Sequence, residues 1–138
     1  MKTLYTAHAT TVGGREGKAE TDDKKLSLQL SSPGKGNGTN PEQLFALGYS
    51  ACFGSAIQHV AQLQKIETGD ISVSADVSLN QDDKGYFIGV TLNVTLPKLD
   101  AAAAQKLVET AHTVCPYSKA TKGNVEVTLT ANSQKLAA

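Results

Sequence analysis

An uncharged, mainly apolar run, Leu44-Phe45-Ala46-Leu47-Gly48-Tyr49-Ser50-Ala51-Cys52-Phe53-Gly54-Ser55-Ala56-Ile57, constrains the fold of this chain more than any other stretch. Ahead of it Asn40 reads as an N-cap, Pro41 takes the first helical position and Gln43 closes a capping box, so a helix is expected from there to about Lys65. Its first half is apolar on every side and Gln58, Gln62 and Gln64 appear only later, which marks a central helix enclosed by other elements. Gly48, Ala51, Cys52 and Ser55 fall three or four apart, so one stripe of this helix lets another backbone approach closely. Tight packing within the chain and a thiol pocket at a helix contact both fit that stripe.

Strand patterns surround the helix. Residues 3–12 and 17–21 flank the turn Gly13-Gly14-Arg15-Glu16, and Leu26, Leu28 and Leu30 alternate with Ser27 and Gln29, giving a meander of three short strands. Ile71, Val73, Ala75, Val77 and Leu79 form one face of a strand. A turn over residues 80–85 leads to Ile88, Val90, Leu92, Val94 and Leu96 on a second, so the two make a long hairpin. Asp100 caps a helix from Ala101 to about Thr113 with Leu107, Val108 and Ala111 on its apolar side. Pro116 opens a fresh short helix capped near Cys115 and ended by Gly123. Val125, Val127 and Leu129 make the last strand, and the tail after Ala131 is expected to fray. The fold class is therefore α+β with mostly antiparallel pairing, and a single domain over residues 1–138 is expected.

Composition limits the partners. With 13 acidic and 13 basic residues the chain has no electrostatic footprint for nucleic acid or an anionic membrane, so small or neutral partners are expected. The apolar run is shorter than the roughly 20 residues that span a bilayer, and residues 1–10 do not read as a signal peptide. A cytoplasmic protein is expected, where a lasting structural disulfide is disfavoured and a catalytic one is allowed. A chain with 40% hydrophobic residues and an all-apolar helix gains core by pairing, so a homodimer is expected.

Only two cysteines occur, Cys52 inside the apolar run and Cys115 in Val114-Cys115-Pro116-Tyr117-Ser118, and the lone arginine is Arg15. A thiolate formed away from water needs a permanent cation, and one guanidinium is on offer; the set points to redox chemistry. Cys52 lies twelve residues past the helix cap, beyond help from the dipole of its own helix, so burial raises its pKa unless a cation is brought to it. Cys115 stands where free backbone N–H groups favour its thiolate directly. Spacing leaves open which of the two attacks first. Glu42 suits the positive end of its helix, or orients Arg15 through a bidentate pair. It is ten residues from Cys52, about 15 Å along the axis and on a different face, so a carboxylate serving the Cys52 site would arrive from a second copy of the chain.

Other candidates carry less. The glycine-rich loop over residues 31–39 lacks the second glycine of a phosphate-binding loop. His59 shares the Cys52 face about 10 Å further along and reads as a packed or partly exposed side chain. His112 and Cys115 stand three apart, but two ligands make no metal site, and no metal is expected. Phe45, Tyr49, Phe53 and Tyr117 read as packing residues that also suit an apolar substrate lining.

These residues resemble the organic hydroperoxide resistance proteins, the Ohr branch of the Ohr/OsmC family. The resemblance rests on Gly13-Gly14-Arg15-Glu16-Gly17, on Asn40-Pro41-Glu42-Gln43-Leu44-Phe45-Ala46 leading to Tyr49-Ser50-Ala51-Cys52-Phe53, and on Val114-Cys115-Pro116-Tyr117-Ser118 followed by Gly123-Asn124. It covers essentially the whole chain and implies an OsmC-like fold, mostly antiparallel strands packed on a long central helix, in an intertwined homodimer. It further implies a cysteine-based peroxidase acting on organic hydroperoxides, fatty-acid ones included. In that scheme Cys52 attacks, Cys115 resolves the sulfenic acid as a Cys52–Cys115 disulfide, Arg15 holds the thiolate and Glu42 orients Arg15. No bound cofactor is implied; the reductant is an external dithiol, dihydrolipoamide or a lipoylated protein. Two other classes use the same residues differently: a slow redox sensor, which needs an effector surface, and a noncatalytic ligand-binding domain, which tolerates loss of Cys52.

Overall fold

The structure, a computed structural model, describes residues 1–137. The chain divides into two compact units, Met1–Leu44 and a second that begins at Phe45.

The first unit is a three-stranded antiparallel meander of β1 (Ala9–Val12), β2 (Lys18–Thr21) and β3 (Ser27–Gln29). Val12 pairs with Lys18, so the connection is very tight, and a single 3₁₀ turn over Gly14–Glu16 fills it. Glycine is obligatory at its exit, because a Cβ on Gly17 would fall 1.7 Å from the Val12 carbonyl oxygen. The first strand is shorter than expected: residues 3–8 lie outside it and are exposed, though the His8 carbonyl still accepts the Asp22 N–H at 3.1 Å. After β3 the glycine-rich loop closes on itself through a bridge between Leu30 and Thr39. Asn40 then caps the long helix α1 (Pro41–Leu63), its Oδ1 accepting the Gln43 N–H at 2.9 Å. The reciprocal half of the capping box is missing, since Gln43 Oε1 instead accepts from the Thr39 hydroxyl at 2.7 Å.

The second unit holds the rest of α1 and a four-stranded sheet in the order β4-β5-β6-β7. β4 (Ser72–Asp82) and β5 (Gly85–Thr95) form the long hairpin, closed by Asp83 and Lys84 alone, with Asp82 Oδ1 accepting the Lys84 N–H. Helix α2 (Ala101–Val114) starts on Asp100, whose carboxylate accepts the Ala103 N–H at 2.8 Å, and α3 (Pro116–Thr121) follows after one residue. β6 (Val127–Ala131) pairs with β5 in parallel, Val90 opposite Val127, because α2 and α3 return the chain across the sheet. Tyr49, Phe53 and Ile57 from α1, Leu92, Val94 and Leu96 on or beside β5, and Leu107, Val108 and Ala111 from α2 make one closed core. Each fully buried aromatic or aliphatic side chain stabilises this core by about 1.5–3 kcal/mol.

Three further expectations change. The tail does not fray: β7 (Gln134–Lys135) folds back on β6 and Leu136 enters the core, which repays ordering the segment. Helix α1 stops at Leu63 in a Schellman ending, with Lys65 at φ 55°, the Ile66 N–H on the Ala61 carbonyl and the Lys65 N–H on that of Gln62. Nor is α1 enclosed all round, for Leu47 and Leu63 are 67% and 70% exposed.

Candidate active site

The two cysteines meet. Cys115 Sγ lies 3.6 Å from Cys52 Sγ, with neither in a disulfide. Cys52 projects from the middle of α1 and is half-buried, whereas Cys115 is the fully buried residue between α2 and α3. Its position follows from Pro116, which cannot continue α2 and holds the preceding residue in an extended conformation, φ −64° and ψ 124°. The small-residue stripe of α1 serves this junction, since a Cβ on Gly48 would sit 3.1 Å from the Tyr117 hydroxyl oxygen. Tight packing within the chain is thus one use of that stripe.

Burial pushes the Cys52 thiol up; the nearby Tyr117 main chain works against that rise, and the adjacent Cys115 sulfur adds to it. The free N–H groups at the α3 amino end suggest help for the Cys115 thiolate, but its side chain makes no capping hydrogen bond there and turns into the core.

The first unit carries the other two candidate residues. Arg15 Nη1 and Nη2 donate to Glu42 Oε2 and Oε1 at 2.9 and 2.6 Å, a bidentate pair across the foot of the meander. The Glu42 side chain is 13% exposed and that of Arg15 45%, so the carboxylate is covered and the guanidinium keeps an open edge. The Arg15 hydrogen bonds hold the Glu42 carboxyl below its ordinary range, and Glu42 in turn raises Arg15.

Within the second unit a groove of about 580 Å³ runs from Cys52 along α1, between Ala56, His59, Val60 and Leu63 on one side and Val114 and Pro116 on the other. Its walls are mainly apolar, so a hydrocarbon fits it better than water does.

Residues 34–130 match the family of OsmC-like proteins. The chain is 50% identical over 135 residues to an organic hydroperoxide resistance protein of Xanthomonas axonopodis pv. citri, covering 94% of this chain and 95% of that one. The chain belongs to the OsmC-like family, in its organic hydroperoxide resistance branch. Among solved structures, an organic hydroperoxide resistance protein OsmC of Legionella pneumophila is 50% identical with a TM-score of 0.88, over 93% of this chain and 97% of that one. A putative organic hydroperoxide resistance protein of Vibrio cholerae, with captopril bound in one of its active sites, is 42% identical with a TM-score of 0.93, over 99% and 97%. The fold is thus the OsmC-like α+β fold.

This OsmC-like site also contains a polar cluster that the sequence does not reveal, in which Ser118 and Thr121 carry no sequence signal while Tyr49 and His112 stand out only as a packing residue and a discarded metal ligand. Tyr49 is buried in the core, yet its hydroxyl lies 2.8 Å from Ser118 Oγ and 3.2 Å from Thr121 Oγ1, and His112 Nδ1 lies 2.8 Å from Ser118 Oγ. The available signal was a tyrosine in the apolar run, because a buried phenol needs a partner. Burial, with a smaller contribution from Lys122, lowers the His112 pKa. His59 is exposed and borders the groove without touching the sulfur chemistry by any hydrogen bond in the described residues. No group of three or more His, Cys, Asp or Glu able to hold a metal ion occurs among the described residues, and no described helix is long and apolar enough to cross a membrane.

Proposed function

We propose that this chain is a thiol-dependent peroxidase that reduces organic hydroperoxides to alcohols. The observation that carries the reading is the approach of the two sulfurs to 3.6 Å, with Cys52 lining an apolar groove. The Cys52 thiolate attacks the terminal peroxide oxygen, the O–O bond breaks, and the alkoxide leaves as alcohol on taking a proton. Cys52 is left as a sulfenic acid. The Cys115 thiolate then attacks the Cys52 sulfur, the S–O bond breaks, and hydroxide leaves as water once protonated. One hydroperoxide and two thiols give alcohol, water and a disulfide, and an external dithiol restores the thiols.

Arg15 is the proposed cation for the Cys52 thiolate, with Glu42 orienting it. Two things support this: burial raises the Cys52 pKa, so the thiolate needs a positive neighbour, and Glu42 already grips Arg15 as a fork with its remaining N–H groups free to act. Dihydrolipoamide or a lipoylated protein is the proposed reductant, by likeness to the family alone. A homodimer is part of the same reading, supported by the exposed Leu47 and Leu63 of α1.

The test is steady-state reduction of cumene hydroperoxide and of hydrogen peroxide with dihydrolipoamide, followed by mass spectrometry after one equivalent of oxidant. Faster turnover of the organic substrate with a Cys52–Cys115 bond supports the proposal. A single slow oxidation without turnover indicates a redox sensor, and unchanged consumption by Cys52→Ser refutes the thiol mechanism.

A further inference from the structure

Helix α3 has six residues, too few to hold its place by its own backbone, and its cap residue makes no side-chain hydrogen bond. Yet its N-cap residue is Cys115, whose sulfur lies 3.6 Å from Cys52 Sγ, and the neighbouring Tyr117 main chain lowers the Cys52 pKa. The restraint is polar and buried. Tyr49 on α1, His112 on α2, and Ser118 and Thr121 on α3 form one continuous set of hydrogen bonds, and Ser118 and Thr121 are only 2% and 4% exposed.

Counting protons fixes the direction of every bond in the set, because each hydroxyl has one proton to donate. Thr121 spends its proton on the Ser118 carbonyl at 3.1 Å, so its Oγ1 accepts from Tyr49. Tyr49 has then spent its own proton, and its oxygen accepts from Ser118. Ser118 in turn has none left for His112, so His112 Nδ1–H is the donor to Ser118 Oγ. The chain runs one way, from imidazole to serine to phenol to threonine to carbonyl, and it closes only with the His112 proton on Nδ1.

We propose that His112, Ser118, Tyr49 and Thr121 are positioning residues of the two-cysteine site, a one-way hydrogen-bond chain that clamps α3 so that Cys115 stays on Cys52. The proposal rests on the reading of Cys52 and Cys115 as the reacting pair. Breaking any link frees a buried donor or acceptor and loosens α3. The Tyr117 main chain then stabilises the Cys52 thiolate less, and Cys115 is delivered less often.

The first test needs no variant. In protein labelled with ¹⁵N-histidine, the His112 ring nitrogens at a pH where the ring is neutral should report the Nδ1–H tautomer; an Nε2–H tautomer overturns the chain. The second measures iodoacetamide alkylation of Cys52 against pH, and closure of the Cys52–Cys115 bond by diamide, which takes two electrons and two protons from the thiols. Tyr49→Phe and His112→Phe should raise the alkylation midpoint by about one pH unit and slow closure about tenfold, as expected when a thiolate loses a nearby main-chain dipole and its partner sulfur is delivered less often. His112→Asn, which keeps an N–H near the same place, should restore both. A folded His112→Phe with the wild-type profile refutes the proposal. Neither reagent is a hydroperoxide, so a wild-type protein that fails to reduce hydroperoxides sinks the peroxidase reading while these results still decide the clamp.

Discussion

Replacing Gly48 by Ala sets two effects of opposite sign against each other at the cysteine junction. Gly48 is inside α1, where alanine gains about 1 kcal/mol over glycine from the lower backbone entropy of the unfolded chain. Against this, the new methyl would stand 3.1 Å from Tyr117 Oη, 3.2 Å from Cε2 and 3.4 Å from Cζ, the first two several tenths of an ångström inside ordinary contact. All three atoms belong to the far end of one ring that packs on Phe45 and Tyr49 at centroid distances of 6.2 and 5.8 Å and is itself 40% exposed. The ring can therefore tilt outward at the cost of an off-rotamer side chain, about 0.5–1.5 kcal/mol. The two effects nearly cancel, and Gly48→Ala should unfold in urea within about 0.5 kcal/mol of wild type at unchanged m-value. Because the ring moves and the Tyr117 main chain does not, the Cys52 alkylation profile should hold. A loss above about 2 kcal/mol means the ring has no room and the site is packed to overfilling. A gain of the full 1 kcal/mol or so from helix propensity means that Tyr117 does not rest on Gly48 at all.

Cys115→Ser should consume one equivalent of organic hydroperoxide and then stall, with Cys52 trapped as sulfenic or over-oxidised acid by mass spectrometry; an unreactive variant reverses the two roles. Arg15→Lys keeps the charge but loses the fork, so the Cys52 pKa should rise and stopped-flow hydroperoxide reduction should slow at least tenfold, and a wild-type profile removes Arg15 from the mechanism. The Arg15 pair holds the Glu42 carboxyl below its ordinary 4.5, so its stabilisation is full above that value and is lost as pH falls through the lower folded one. Stability should therefore fall modestly through this pair as pH drops below 4.5, and Glu42→Gln should abolish that part of the slope. Sedimentation at micromolar concentration should give twice the chain mass, and a stable active monomer refutes the dimer.

Much of the fold was legible because period and punctuation agree. Alternation at Ile71 to Leu79 and Ile88 to Leu96 leaves one register in which both apolar faces point inward, and the hairpin adopts it. Asn40 and Asp100 mark the two main helix starts by the same capping chemistry. The parallel β5–β6 pairing is not written in any strand, for strand direction depends on where α2 and α3 return the chain. Lys65 hid the end of α1, since a left-handed helix ending is usually marked by glycine. At the site, the residue types that carry thiol chemistry could be picked out, but the partners could not. Ser118 and Thr121 are ordinary helix residues until Tyr49, some seventy positions earlier, is packed against them. Likewise the group that lowers the Cys52 pKa is the main chain of Tyr117, which no side-chain identity announces.

The crossover from β5 to β6 sets the order in which this site can come into being. Cys52 and Cys115 stand 63 residues apart, and Cys115 lies in the connection between β5 and β6, so the sulfurs meet only once that long loop has closed and brought α2 and α3 onto α1. During synthesis and refolding Cys52 is therefore a solitary thiol. On the proposed chemistry, oxidant reaching the chain in that interval leaves a sulfenic acid with no resolving partner, and further oxidation to the sulfinic acid is irreversible for a chain without a dedicated repair enzyme. The topology thus imposes a window of vulnerability on each new molecule, longest when hydroperoxide is abundant and folding is slow.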